Sequence, residues 1–141
     1  MKSLFLFAVF VILCSQKPIE PEKQKLNGTF EAKSQSFYDS ENYWGYVKLQ
    51  VQEGKIVDVK FSIRDSTLHE PFDAKYEAHF VGNELYIQQS RNDWNGVQHY
   101  PHELLKKQDI KDVDAVSGAT WSYNFFKSCV EKALKDTVGN L

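Results

Sequence analysis

The chain has 141 residues, of which 42% are apolar, 14% aromatic and 26% charged. That is enough for one ordinary domain with its own core, and too apolar for a disordered polymer. Lysine plus arginine number 17 against 19 acidic residues, a net charge of −2. This balance lacks the dense positive surface that sequence-independent phosphate binding needs, so nucleic acid is not expected as a partner.

At the N-terminus, Lys2 and Ser3 precede an unbroken apolar run from Leu4 to Leu13. As a helix such a run spans only ~15 Å of a ~30 Å hydrocarbon core, so residues 1–13 read as a signal peptide and not a transmembrane helix. The run stops at Cys14, and Ser15, Gln16, Lys17 and Pro18 follow at once. This resembles a bacterial lipoprotein signal, with Cys14 as the lipidated first residue of the mature chain, although Leu13 stands where that pattern has a small residue. Diacylation implies stable anchoring, since each buried methylene adds ~0.8 kcal/mol. Residues 14–25 carry Pro18 and Pro21 and no apolar period, so they form a lipidated tether. The expected domain is 26–141, on a protein anchored by lipid to a bacterial membrane in the cell envelope and facing the periplasm or the exterior. With Cys14 acylated, Cys129 has no bridge to make and is expected as a buried, inert thiol.

Asn27-Gly28-Thr29 reads as a turn opening a first strand over 28–38. Next comes a half-buried hairpin. Val47, Leu49 and Val51 alternate with Lys48, Gln50 and Gln52, and Val57, Val59, Phe61 and Ile63 alternate with Asp58, Lys60 and Ser62. Placing both apolar sets on one face pairs Val51 with Val57, Leu49 with Val59 and Val47 with Phe61, across an odd connection centred on Gly54. A second hairpin is expected over 78–89, turning through Gly82-Asn83, and a short helix over 102–107, opened by Pro101. From Ser117 onward, Phe125, Phe126, Cys129, Val130, Ala133 and Leu134 recur at helical steps, opposite Lys127, Ser128, Glu131, Lys132 and Lys135. The predicted fold class is α+β, a single antiparallel sheet with helices packed on one face and a C-terminal amphipathic helix.

The chemistry-bearing segment opens that last helix: Asp114-Ala115-Val116-Ser117-Gly118-Ala119-Thr120-Trp121-Ser122. On a helical wheel Thr120 projects roughly 130° from the centre of the apolar stripe, so its hydroxyl is not a core group. A helix N-terminus offers unpaired amides and a partial positive charge to a phosphate, and Gly118 and Ala119 let one approach closely. On these grounds alone the segment reads more simply as a capped helix start, with Asp114 or Ser117 as the cap.

Every defined position of the segment matches a pattern of Asp, two variable residues, Ser or Thr, Gly-Ala-Thr, a variable residue, then Ser or Thr. In this the chain resembles the FMN-binding domain family, which includes the flavinylated subunits of the sodium-pumping NADH:quinone reductase and related membrane electron-transfer complexes, and small membrane-anchored lipoproteins. The strand pair around Tyr43-Trp44-Gly45-Tyr46-Val47 and Gly54-Lys55-Ile56-Val57-Asp58-Val59, and the segment from Tyr100 to Gln108, extend the likeness over about residues 27 to 135. The resemblance implies a magnesium-dependent flavin transferase as partner, which takes FMN from FAD and joins its phosphate to the threonine of Gly-Ala-Thr. Carried over, Thr120 would be a phosphothreonyl-FMN residue, and Ser117, Gly118, Ala119 and Trp121 would neighbour the cofactor. Asp114, Ser117, Gly118, Ala119, Thr120 and Ser122 would be the residues the transferase recognises. The implied role is a membrane-tethered flavoprotein electron carrier exchanging electrons with membrane electron-transfer proteins, not a stand-alone enzyme. The alternative is a non-flavinylated lipoprotein of the same fold serving as a surface binding or antigenic module.

Trp121 either closes the sheet edge or stacks on the flavin, and Tyr43, Trp44, Trp94 and Tyr100 are further candidates for ring contact. No catalytic residue and no metal ligand is expected. Pro101 separates His99 from His102 and no cysteine lies nearby in sequence, and Ser117-Gly118 lacks the glycine that a nucleophile elbow requires.

Overall fold

A computed structural model describes residues 26–138. The expected signal peptide, the lipidated Cys14 and the tether therefore lie outside the described residues. Strands β1 (Gly28–Gln35), β2 (Tyr43–Gln52), β3 (Lys55–Asp65) and β4 (Glu70–Pro71) form one antiparallel sheet in the order β1-β2-β3-β4. Two long helices, α1 (Glu84–Lys107) and α2 (Thr120–Val138), follow the sheet. Both cover the same face. Val47 and Leu49 of β2 and Val59 of β3 share one buried cluster with Tyr100 and Leu104 of α1 and with Phe126, Cys129 and Val130 of α2. The fold is α+β, as the alternating and helical periods predict. No described helix is long and apolar enough to cross a membrane.

The central hairpin follows the predicted register, with Leu49 opposite Val59 and Val47 opposite Phe61, but not its predicted turn. Gln52 pairs with Lys55, so Glu53 and Gly54 alone make the turn, with φ of 50° and 76°. Two residues with positive φ match the right-handed strand twist that a longer loop would have to accommodate otherwise. A bulge between Gln50 and Val51 absorbs the parity error, and Val51 faces Ile56 instead of Val57. Ile56 is consequently buried at 7% exposure and Val57 is 46% exposed.

Two expected elements are corrected. Residues 78–89 form no hairpin: a 3-10 turn covers Tyr76–Phe80, and Asn83 caps α1, its side chain accepting from the Tyr86 amide. The Gly82-Asn83 turn signal is real, but Asn also serves as an N-cap, and here it starts a helix. Likewise the helix over 102–107 is only the last part of the 24-residue α1, with Pro101 in its interior. An interior proline costs about 3 kcal/mol. Burial of Val97, Tyr100 and Leu104 against the sheet and α2 offsets that cost.

The bulge makes a prediction opposite to simple alternation. Ile56→Ala is expected to cost about 2–4 kcal/mol and Val57→Lys less than about 0.5 kcal/mol, read from urea midpoints.

Candidate functional site

The segment 114–122 lies where α2 begins, pressed against α1. At Gly96 the two helices approach so closely that a Cβ would stand 2.6 Å from Ser122 Oγ, 2.9 Å from the Ala119 methyl and 2.9 Å from the Tyr100 ring. One helical turn on, the fully buried Tyr100 hydroxyl donates to the Ala119 carbonyl (2.9 Å) and accepts from the Val116 amide (3.1 Å). Three residues before Gly96, the Asp93 carboxylate accepts from the Ser122 amide (3.0 Å), while the Ser122 hydroxyl lies 3.0 Å from both Asp93 Oδ1 and the Ala119 carbonyl. Gln89 completes the clasp, its amide nitrogen donating to Asp93 Oδ2 (2.6 Å) and to the Gly118 carbonyl (2.9 Å). Burial raises the Asp93 carboxyl above its ordinary value, against the hydrogen bonds from Gln89 and Ser122. Gly118 has φ of +80°, which calls for glycine in the turn, while a Cβ there would meet only the movable Asn92 side-chain amide, at 2.7 Å.

The expected site residues separate into two groups. Thr120 is exposed at the first position of α2, and Ser117 and Asp114 are exposed in the preceding turn. The Asp114 carboxylate lies 3.7 Å from the Lys107 ammonium, with the aspartate side chain 93% exposed. Ala119 and Ser122, by contrast, are buried at 1% and 0% exposure, with Ser122 bonded internally. Neither Asp114 nor Ser117 caps the helix: Ala119 accepts the first helical hydrogen bond, from the Tyr123 amide.

Next to Thr120, the half-buried Trp121 forms one wall of a cleft of about 330 Å³. Its indole packs on Tyr43, Phe72 and Phe125 at centroid distances of 5.2, 5.1 and 5.0 Å. Its ring nitrogen donates to Glu41 Oε2 at 2.9 Å. The cleft is also lined by Phe80 and Tyr86, stacked at 5.6 Å. Behind the cleft the hydroxyls of Tyr43 and Tyr76 lie 2.7 Å apart, and Tyr76 donates to Asp65 Oδ2 at 2.5 Å. Burial and these two partners push the Tyr76 phenol far above its ordinary value.

Of the five aromatic candidates, only Trp121 and Tyr43 line this cleft. Trp44 sits under the Lys33 ammonium in a larger, more polar cavity, Trp94 lines a third, and Tyr100 is in the core. Sequence reasoning did not single out Gln89, Asp93 and Gly96, whose spacing marks one helix face once α1 is known, nor Glu41, Phe72, Phe80 and Tyr86. Cys129 is buried, as its place in the apolar stripe implied, and burial pushes its thiol up to about 12. Among the described residues no group of three or more His, Cys, Asp and Glu side chains could hold a metal ion.

Two predictions concern this framework. Tyr100→Phe removes one hydroxyl and takes the partner from the half-buried Val116 amide, while the Ala119 carbonyl keeps the Ser122 hydroxyl and the Tyr123 amide, so a loss of about 0.5–1.5 kcal/mol is expected in denaturant titration. For Asp65, burial raises the carboxyl, but the bonds from Tyr76 and from the Leu68 and Thr67 amides outweigh it and hold the group below its ordinary value. Its stabilising contribution is therefore present above the ordinary carboxylate range and lost as pH falls through the lower, folded value. Asp65→Asn should cost about 1.5–3 kcal/mol at neutral pH, with the urea midpoints of variant and wild type converging in acid.

In fold, the domain is similar to a crystallised protein of Clostridium perfringens, CPE2226, at 23% identity and a TM-score of 0.60, covering 82% of this chain and 91% of that one. A solution structure from Clostridium thermocellum is also similar, at 23% identity and a TM-score of 0.46, covering 79% of this chain and 91% of that one. No curated relative matches the chain. The profile of the FMN-binding domain family, however, matches residues 41–135, which take in the cleft, the clasp and the whole of the 114–122 segment. The chain belongs to the FMN-binding domain family, and FMN is its cofactor.

Proposed function

We propose that the protein is a membrane-tethered electron carrier whose FMN is joined by a phosphoester bond to Thr120. The observation that carries this reading is the position of one hydroxyl. Thr120 is the exposed threonine of the Gly-Ala-Thr segment, and its chain neighbour Trp121 lines an aromatic cleft. No hydrogen bond within the described domain engages the Thr120 and Trp121 amides, whereas that of Ser122 is bonded to Asp93. Two free amides on a first helical turn suit a phosphate diester. The cleft fits a planar ring system: its volume lies at the lower end of the ~300–1,000 Å³ range of ligand sites, and its walls are mostly aromatic. Residues and cofactor are therefore compatible.

In the modification, Thr120 Oγ forms a bond to the FMN phosphorus of FAD, the pyrophosphate bond breaks, AMP leaves and the hydroxyl proton passes to solvent. A magnesium-dependent flavin transferase would carry out this step. Bound FMN supplies reversible electron transfer, and the chain's own residues fix its position and surroundings. Asp114 and Ser117, exposed before the helix, are available for recognition by the transferase. The buried Ala119 and Ser122 act by shaping the turn that presents Thr120. Lipidation of Cys14 and the tether to residue 25 would hold this domain beside membrane electron-transfer proteins on the periplasmic or outer side of a bacterial membrane. Such tethering raises effective concentration without an added docking surface.

Co-expression with a flavin transferase tests the reading. A fluorescent band on a denaturing gel, and an intact mass raised by one FMN less water, are expected for the wild type and absent for Thr120→Ala. A colourless wild-type band at the bare polypeptide mass would overturn it in favour of a flavin-free binding module.

A further inference from the structure

The cleft beside Trp121 is lined by ionisable charge of one sign only. Glu41 and Asp93 are its two carboxylates, and no lysine, arginine or histidine lines it. Both are held in place. Glu41 accepts from the Trp121 indole at 2.9 Å and from the Ser36 hydroxyl at 2.5 Å, and Asp93 is 3% exposed among donors from Gln89 and Ser122. Nearby basic side chains are committed elsewhere: Arg91 to Glu77, His79 to Glu70 by a hydrogen bond, and Lys33 to the face of Trp44. The remaining polar groups on the walls are the hydroxyls of Tyr43, Tyr86 and Ser90 and the amide of Gln89, all neutral.

Reduction adds electrons to an isoalloxazine, and the reduced ring tends to lose its N1 proton near neutral pH, so the reduced form carries more negative charge than the oxidised one. Fixed charge near the ring sets its electronics, and in a partly desolvated cleft that charge is weakly screened. Resting on the flavin reading above, we propose that Glu41 and Asp93 set the reduction potential of the bound FMN and hold it below that of free FMN. The domain is then a low-potential carrier, charged by strongly reducing donors and discharging readily to weaker ones. Glu41 also positions Trp121 by a bond that a glutamine can replace, so its charge can be removed without its hydrogen bonding.

The test is redox titration of the covalently loaded domain against a reference dye, beside free FMN in the same buffer. The wild-type potential is expected below that of free FMN. Glu41→Gln and Asp93→Asn should each raise the reduced-to-oxidised ratio at a fixed poise about tenfold, ~30 mV for a two-electron couple. Glu53→Gln, on the exposed turn at the far end of β2, should leave it unchanged. A wild-type potential at or above that of free FMN overturns the proposal, as does a loaded Glu41→Gln variant with an unshifted potential. Glu41→Gln decides the matter should Asp93→Asn fail to fold. A wild type that takes up no flavin fails earlier and differently, removing the reading on which the proposal rests.

Discussion

The contact between α1 and α2 at Gly96 is the constraint on which the site depends. Because no side chain intervenes, Tyr100 and Asp93 on either side of it reach the backbone of the 116–122 turn directly. Each such bond is worth about 1 kcal/mol net, but each partner left unpaired in the interior would cost about 1–3 kcal/mol. Among the described residues no buried side-chain nitrogen or oxygen lacks a partner. The clasp therefore specifies one shape for the turn. That shape turns Ala119 and Ser122 inward and leaves Thr120 outside.

The cleft depends on the same contact at one remove. Its walls come from the β1–β2 connection, the start of β2, the residue after β4, the 3-10 turn, the first turns of α1 and the first residue pair of α2. Only a fixed α1–α2 crossing brings Tyr86 and Gln89 opposite Trp121. The charge of the cleft follows from this assembly. Asp93 lines it while one oxygen of the same carboxylate holds Ser122, so one residue serves both the backbone of the motif and the charge of the cleft.

Much of the sheet was legible because burial on one face imposes alternation, as Val47 and Leu49 against Val59 show. Alternation does not encode a bulge, and Ile56-Val57 offers two adjacent apolar residues with nothing local to choose between them. Helix α1 was illegible for a different reason. Its buried positions include Ser90, Asp93 and Gly96, so its inward stripe reads as polar, and Pro101 supplies a false start signal. The segment 114–122 stood out only through its likeness to a family. Thr120 was correctly placed outside by helical phase alone, since three apolar steps downstream fix the wheel. Phe72, Phe80 and Tyr86 could not be assigned to the cleft, because no periodicity relates residues that meet only in the tertiary structure.

Gln108 ends α1 in a left-handed conformation, and its side-chain amide accepts from the Ile56 N–H at 2.8 Å and donates to the Ile56 carbonyl at 2.9 Å. A carboxamide that satisfies both groups of one residue imitates a passing strand. Farther along, the Phe72 amide bonds to the Ile63 carbonyl, and β4 pairs with Arg64 and Asp65. The outer margin of β3 is thus occupied at both ends by side chain and short backbone instead of a full-length neighbour. Open sheet margins recruit other chains by hydrogen-bonded zippering. Here the helix terminus doubles as a plug against it, so that border offers no full-length template for polymerisation.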